Sequence, residues 1–162
     1  MKRMLPVVLL LVILFSCNLL TGNKNQEAKA SAQAKIDLMD ADRAFSKLSE
    51  EKGMKHAFLE YIDSNGVLLR PAQPPIIGAD AVDFLIQQND TTYTLKWEPK
   101  DGTVAKSGEL GYTYGIYALM PTSKDTIIYG TYVSVWKKEA SGKWKFVLDS
   151  GNEGLGDMKA EQ

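Results

Sequence analysis

Helical periodicity gives way to β-strand patterning near residue 93, and this change constrains the fold more than any other feature of the chain. Between residues 38 and 88, three segments have apolar residues at intervals of three and four, with one short strand-like run at residues 67–70 before the third, and glycine and proline separate the segments. From residue 93 on, long runs rich in aromatic and β-branched residues are separated by short turn sequences. A block of helices followed by a block of strands predicts an α+β domain, with helices packed on one face of an antiparallel sheet.

The first predicted helix is amphipathic. Leu38, Phe45 and Leu48 lie at helical spacing on one face. The charged residues among them, Asp42 included, are assigned mostly to the other side. Gly53 is placed to end the helix. We therefore expect Phe45 to be buried between this helix and the sheet.

The remaining elements follow from the same two patterns. Helical spacing predicts further helices at residues 54–62 and 79–88. Strands are predicted at residues 67–70, 93–98, 103–106, 110–120, 126–138 and 143–149. Turn-forming residues predict turns at residues 63–66 and 101–102.

The N-terminal apolar run ends on the only cysteine of the chain. A basic Met1-Lys2-Arg3 start precedes residues 5–15, which are too short a run to span a bilayer as a helix. Leu14-Phe15-Ser16-Cys17 resembles a bacterial lipobox, whose cysteine is lipidated on sulfur. The alternatives are an ordinary signal peptide with a coincidental cysteine and a membrane-spanning anchor. We expect residues 1–16 to be a lipoprotein signal peptide, and the protein to be exported and anchored through lipid on Cys17 to a cell-envelope membrane, on the periplasmic side or at the cell surface.

Composition limits the domain organisation and the partners. Residues 17–35 have the polar composition of a tether, residues 36–152 suit one domain, and residues 153–162 read as a flexible tail. The formal charge of −1, without a basic cluster, argues against nucleic acid as a partner. With Cys17 and His56 as the only cysteine and histidine, intrachain disulfides and metal sites built on thiolates or mainly on histidine are excluded. No metal or cofactor is expected.

Three stretches of the chain carry a resemblance to a known superfamily. They are residues 107–117 (SGELGYTYGIY), 130–138 (GTYVSVWKK) and 142–151 (GKWKFVLDSG). Their content and spacing resemble the SnoaL-like branch of the nuclear transport factor 2-like superfamily, over about residues 36–152. The resemblance implies a cystatin-like α+β cone, in which N-terminal helices pack on a strongly curved, mainly antiparallel sheet and the open end is a pocket. It also implies a homodimer, because the open sheet face of this family often pairs.

The resemblance directs attention to Asp149. Ketosteroid isomerase-type members of the superfamily use an aspartate base and a tyrosine oxyanion donor inside the cone. Asp149, near the end of the last strand, is the candidate base, and Tyr61, Tyr114 and Tyr132 are candidate donors. Strict alternation, however, places Asp149 opposite the face that carries Phe146. The alternative is that Asp149 caps the strand end or pairs with a lysine.

Aromatic residues on neighbouring strands favour binding over turnover. Trp97, Tyr114 and Tyr132 belong to an aromatic set that mostly fills the core but would also give a pocket flat apolar walls with polar tips. Arg70 follows three apolar strand residues. It would hold a carboxylate or phosphate if it faced the cone mouth, and would otherwise pair with a local acid.

The sequence therefore predicts a lipid-anchored domain that binds a small apolar molecule or a partner in its cone, without catalysis. One alternative is a cofactor-independent isomerase, cyclase or hydrolase with Asp149 as base, and another is a structural dimerisation module. An open cavity without an ionisable group would favour binding. A buried carboxylate beside a tyrosine hydroxyl would favour catalysis, and a closed, dry cone would favour the structural role.

Overall fold

The computed structural model describes residues 5–155, with the side chains of Gln26 and of residues 28–155. The basic start at residues 1–3 and residues 156–162 of the predicted tail lie outside the described residues, and the side chain of Cys17 is not described. The elements, in chain order, are α1 (Leu5–Lys52), α2 (Met54–Tyr61), β1 (Ile62–Leu69), β2 (Ile76–Ile77), α3 (Ala79–Gln87), β3 (Tyr93–Val104), β4 (Leu110–Pro121), β5 (Ile128–Lys138) and β6 (Trp144–Glu153).

The strands form one open, mixed sheet in the order β2-β1-β6-β5-β4-β3. Strands β1 and β6 pair in parallel, and every other neighbouring pair is antiparallel. Helix α1 packs mainly on β3 and α2, and α3 packs on β1 and β2. This is the α+β cone with a mainly antiparallel sheet that the sequence predicts, and the fold class is confirmed.

Helix α1 is longer than its apolar pattern indicates. It begins at Leu5 and includes residues 17–35, while the division of this part of the chain into signal peptide, tether and domain stays a prediction. The helix ends at Lys52 because Gly53 has a φ of +89°, a left-handed conformation that glycine adopts without strain. Among the residues searched with their side chains, no helix is long and apolar enough to cross a bilayer.

Two predicted turns are wrong, because both are irregular stretches inside strands. Residues 63–66 lie within β1, whose register against β6 shifts between Ile62 and Val67. Residues 101–102 lie within β3, whose register against β4 shifts just before them. Extra residues in one strand of a pair bend the strand and increase its twist. These turn-forming sequences therefore curve the sheet instead of reversing the chain.

Phe45 lies at the centre of the core between the helices and the sheet. It is 1% exposed. The ring centroids of Phe58, Trp97 and Phe146 lie 4.8, 4.5 and 5.6 Å from its own. The predicted burial of Phe45 is confirmed, and Trp144 is likewise 5% exposed. Each well-packed aromatic pair adds about 0.5–1.5 kcal/mol to the stability beyond the burial of area.

Strand β3 is an edge of the sheet, and serines of helix α1 cover part of that edge. The Ser46 hydroxyl donates to the carbonyl of Trp97 at 2.6 Å and accepts from its backbone N–H at 2.8 Å. The Ser49 hydroxyl donates to the carbonyl of Leu95 at 2.7 Å. Backbone groups that have no neighbouring strand are thereby paired. The same bonds fix where β3 places Trp97.

Candidate functional site

A pocket of about 220 Å³ opens between helix α2, the end of β1 and the inner face of strands β3–β6. Arg70, Ser134 and Asp149 contribute polar groups that are hydrogen-bonded to one another. Its walls are mainly apolar and aromatic, and are formed by Met54, Phe58, Leu95, Trp97, Tyr117, Leu119 and Tyr132. Drug-sized ligands occupy pockets of roughly 300–1,000 Å³. This pocket therefore suits a smaller molecule.

Arg70 and Asp149 form an ion pair in the pocket. Nη2 of Arg70 donates to Oδ1 of Asp149 at 2.9 Å, and the Ser134 hydroxyl donates to Oδ2 at 2.8 Å. Nη1 of Arg70 donates to the carbonyls of Leu69 at 3.0 Å and of Asp149 at 3.2 Å. The guanidinium carbon also lies 5.7 Å from the ring centroid of Phe58. These contacts hold the pair in one geometry in the wall of a mainly apolar pocket.

A bulge in β6 turns Asp149 toward the pocket. Val147 is an extra residue between Phe146 and Leu148, each of which pairs with a residue of β5. The alternation of side chains therefore reverses after the bulge, and Asp149, 7% exposed, lies on the inner side with Phe146. The opposite face expected from strict alternation is wrong, and Arg70 instead of a lysine is the partner of Asp149.

A second carboxylate, Asp42, lies fully buried behind the aromatic wall. It is 0% exposed. Its Oδ1 accepts from the Trp97 indole N–H at 2.7 Å, and its Oδ2 accepts from the Tyr132 hydroxyl at 2.7 Å. The Thr113 hydroxyl also bonds Asp42 and accepts from the Trp136 indole N–H at 2.8 Å. Asp42 thus orients two of the aromatic side chains that line the pocket.

Burial changes the pKa of both partners in the Asp42–Tyr132 contact. Desolvation raises the pKa of Asp42 above its ordinary 3.8, although the hydrogen bonds from Trp97, Tyr132 and Thr113 oppose this shift. Burial, and next the charge of Asp42, raise the pKa of the Tyr132 hydroxyl. Tyr132 therefore keeps its proton, and that proton is directed to Asp42.

Tyr117, the other tyrosine of the pocket, packs on Gly130. A Cβ at Gly130 would collide with the tip of the Tyr117 ring and with the carbonyl of Asn152, so only glycine fits there. Gly130 lies four residues along β5 from Ser134, the residue paired with Asp149. At about 3.3 Å per residue this is about 13 Å. The tip of the Tyr117 ring is therefore held against Gly130, while its edge approaches Gly151, two residues after Asp149 on β6.

Four of the six candidate pocket residues predicted from the sequence line this pocket, whereas Tyr61 and Tyr114 do not. Tyr61 lines another depression, and its ring stacks on Phe45 with the centroids 4.8 Å apart. Tyr114 is 46% exposed on the outer face of β4. His56 is exposed on α2. The four that line the pocket are Arg70, Trp97, Tyr132 and Asp149.

Sequence reasoning missed the positions of Asp42 and Ser134. Asp42 follows Leu38 by four residues and precedes Phe45 by three, which is the spacing of the buried face. Ser134 is two residues after Tyr132, which puts both on the inner face of β5. A short polar side chain at the spacing of an apolar stripe was therefore the available signal in both cases.

The chemistry that the pocket offers is hydrogen bonding beside a large apolar surface. Arg70 is the cation of its lining, and Asp149 and Glu153 are its carboxylates. Among the residues whose side chains are described, no three histidine, cysteine, aspartate or glutamate residues are grouped to hold a metal ion. The pocket can therefore enclose a small apolar body and offer one polar group a donor and an acceptor.

Sequence comparisons give no relative, whereas structural comparison gives many. No family model matches the chain, and no curated protein matches it. An ntf2-like protein with a cystatin-like fold from Novosphingobium aromaticivorans aligns with a TM-score of 0.59 at 13% identity, over 88% of this chain and 92% of that one. A ketosteroid isomerase-like protein from Erwinia carotovora atroseptica aligns with a TM-score of 0.56 at 14% identity, over 71% of this chain and 92% of that one.

An enzyme is also among the similar structures. An LEH-like epoxide hydrolase from M. tuberculosis aligns with a TM-score of 0.54 at 12% identity, over 76% of this chain and 87% of that one. At these identities the likeness shows the fold alone. The chain therefore has the nuclear transport factor 2-like, cystatin-like fold that its sequence motifs resemble.

Proposed function

We propose that the protein is an exported lipoprotein, anchored through Cys17, whose domain binds a small apolar molecule in the pocket without transforming it. Apolar and aromatic side chains form most of the pocket wall. Such a wall gains binding free energy from apolar area removed from water, at about 25 cal/mol per Å². The lipobox-like Leu14-Phe15-Ser16-Cys17 supports the anchor and the export.

One observation favours binding over catalysis. The Tyr132 hydroxyl donates its hydrogen bond to Asp42. An isomerase-type site needs a carboxylate and a neutral donor that both face the substrate. Tyr132 directs its one proton to Asp42, and the tip of the Tyr117 ring is held against Gly130, four residues along β5 from the Ser134 that bonds Asp149. Asp149 itself is held by Arg70 and Ser134, although each of its oxygens can accept one further hydrogen bond. A base and donor pair is therefore not assembled around a ligand.

A cofactor-independent isomerase, cyclase or hydrolase is the second candidate. Asp149 is an ionisable group inside an open pocket, and the Asp42–Tyr132 contact is a buried carboxylate beside a tyrosine hydroxyl. Both features favour catalysis in principle. Asp42, however, is fully buried and does not line the pocket. Asp149 is therefore the residue on which the enzyme alternative depends.

A homodimer through the outer sheet face is a further part of the proposal. Leu110, Tyr112 and Tyr114 alternate along β4 on this face and are 47%, 44% and 46% exposed. Val133 and Val135 of β5 lie directly opposite Tyr114 and Tyr112. An apolar face of this kind is typical of a protein interface. A second copy of the chain would cover it without blocking the pocket on the inner face.

Ligand binding in the pocket is tested by a substitution that fills the pocket with a larger side chain. Leu119 lines the pocket, whereas Met120 follows it on the other face of β4. A panel of one-ring apolar molecules should raise the unfolding temperature of the unmodified protein, because a ligand that binds only the folded state stabilises it. The shift should vanish in Leu119→Trp and persist in the matched control Met120→Trp. A shift of equal size in Leu119→Trp would contradict binding in this pocket.

A further inference from the structure

We infer that the ligand is neutral, about the size of one ring, and carries a single group that both donates and accepts a hydrogen bond, such as a hydroxyl or a primary amide. That group would bind Arg70 and Asp149 together. The inference rests on the proposed binding function and names the ligand class of the same pocket.

The ion pair keeps a donor and an acceptor for a ligand. A guanidinium has five N–H groups. In Arg70, Nη1 donates to two carbonyls and Nη2 donates once to Asp149, so Nε–H and one Nη2–H have no acceptor among the described residues. Each oxygen of Asp149 accepts one side-chain hydrogen bond, and a carboxylate oxygen can accept two. A hydroxyl or amide that reaches the pair can therefore donate to Asp149 and accept from Arg70.

The cost of burying a further charge beside the ion pair favours a neutral ligand. Arg70 and Asp149 cancel each other, and Glu153 adds a negative charge at the lining. Asp149 and Glu153 would repel a carboxylate or phosphate, and Arg70 would repel an ammonium group, although the two carboxylates would attract it. The side chains of Arg70 and Asp149 are only 22% and 9% exposed, so solvent compensates a third buried charge poorly.

The partial burial of the pair also disfavours a pure hydrocarbon. A ligand that covers Arg70 and Asp149 removes the water that bonds their remaining donors and acceptors. A hydrocarbon leaves those groups unpaired, whereas a hydroxyl or amide replaces the water. The size limit comes from the volume of about 220 Å³, and the wall of Trp97, Tyr117 and Leu119 would contact the ring.

A series of cyclohexane derivatives with one variable group tests the inference. Calorimetry on the unmodified protein compares cyclohexanol, cyclohexanecarboxamide, methylcyclohexane, cyclohexanecarboxylate and cyclohexylammonium. The alcohol and the amide should bind roughly tenfold or more tightly than methylcyclohexane, because each gains hydrogen bonds to charged groups. Methylcyclohexane should in turn bind more tightly than either ion.

Replacement of the pair tests its role directly. In the double variant Arg70→Met with Asp149→Leu, the preference for the alcohol and amide should disappear while methylcyclohexane still binds. The control double variant Lys96→Met with Glu50→Leu removes an exposed ion pair of 2.8 Å outside the pocket. It should keep the preference. If the pocket variant fails to fold, the series on the unmodified protein still decides the question.

The outcomes separate this inference from the proposed function. Equal affinity for methylcyclohexane and cyclohexanol, or tightest binding of either ion, would overturn the ligand class and leave a binding pocket. Retention of the alcohol preference in the folded pocket variant would overturn the role of the ion pair. Binding of no member of the series would overturn the ligand class and the proposed binding function together.

Discussion

The hydroxyl of Tyr132 on β5 donates a 2.7 Å hydrogen bond to Asp42 on α1, across 90 positions of sequence. The other oxygen of Asp42 accepts from Trp97 on β3. One helix side chain therefore joins two strands of the sheet at the back of the pocket. Because Asp42 is fully buried, its ionisation affects both the stability of the fold and the position of the aromatic wall.

Asp42→Asn should change how stability depends on pH. Burial raises the pKa of Asp42 above 3.8 in the folded protein. As the pH rises above about 3.8, the unfolded chain loses this proton first, so stability falls until the pH passes the raised pKa. The free energy of unfolding of the unmodified protein minus that of Asp42→Asn should therefore decrease as the pH rises from about 3.5 to 7.5. Urea titrations of both proteins at several pH values measure this difference in the free energy of unfolding.

Asp101→Asn is the control, for which we expect stability to depend on pH in the opposite direction. The hydrogen bond from Lys35 lowers the pKa of Asp101, and the backbone N–H of Gly102 adds to this effect. The stability that depends on its charge is present above about pH 3.8 and is lost as the pH falls through the lowered pKa. The free energy of unfolding of the unmodified protein minus that of Asp101→Asn should therefore increase as the pH rises. The same trend in both variants would show that burial of Asp42 is not the cause.

Phe45→Ala should destabilise the domain by about 3–5 kcal/mol, because it empties the centre of the aromatic core. Ile86→Ala, at a side chain 53% exposed on α3, should change the free energy of unfolding by less than about 0.5 kcal/mol. Urea denaturation of both variants provides the measurement. Similar small losses in the two variants would mean that the packing around Phe45 contributes little.

Asp149→Asn separates binding from catalysis. Asparagine keeps an oxygen that accepts from Arg70 or a ligand, so a ligand of the unmodified protein should bind the variant within about tenfold of its original affinity. Mass spectrometry after incubation should find that ligand unchanged by either protein. Turnover by the unmodified protein that falls roughly 10²- to 10⁴-fold in the variant would instead identify Asp149 as a general base.

Cys17→Ser should release the protein from the membrane without unfolding it. Two or three acyl chains on the cysteine hold a protein stably at a membrane, and serine offers no thiol to carry the first of them. Fractionation and labelling with a fatty acid should find the unmodified protein in membranes and the variant outside them, with unchanged circular dichroism. A labelled, membrane-bound Cys17→Ser protein would refute the lipoprotein assignment.

Tyr114→Glu should weaken a homodimer formed through the outer sheet face. A charge at the centre of an apolar interface stays desolvated and unpaired in the dimer. Sedimentation should show a dimer for the unmodified domain and a monomer for the variant. Ile86→Glu places the same charge on α3, away from this face, and should leave the dimer intact. A monomeric unmodified domain would remove the support for dimerisation.

The fold was predictable from the sequence because its long-range order follows from local patterns. The apolar spacing around Phe45 and the alternation along β4 and β5 were strong enough to specify helices on a sheet. The predicted turns at residues 63–66 and 101–102 were wrong because turn-forming residues also suit bulges, and only pairing with a neighbouring strand distinguishes the two.

The site was harder to predict because it depends on single-residue shifts and on buried polar groups. Val147 reverses the alternation that would otherwise direct Asp149 outward. Asp42 was assigned to the solvent side because of its charge, although its spacing from Leu38 and Phe45 matched the buried face. Its burial depends on donors from Trp97 and Tyr132, more than 50 residues away along the chain. No local pattern contains that information.

The serine hydroxyls of α1 also affect how copies of this protein behave when crowded. A strand from another molecule that approached β3 would find the outward carbonyls of Leu95 and Trp97 already bonded to Ser49 and Ser46. The sheet cannot be extended there without first detaching the helix, and the opposite edge strand, β2, is only two residues long. Fibril growth needs an open strand edge as a template. Helix α1 therefore removes from use one part of the strand edge that amyloid-like polymerisation would need.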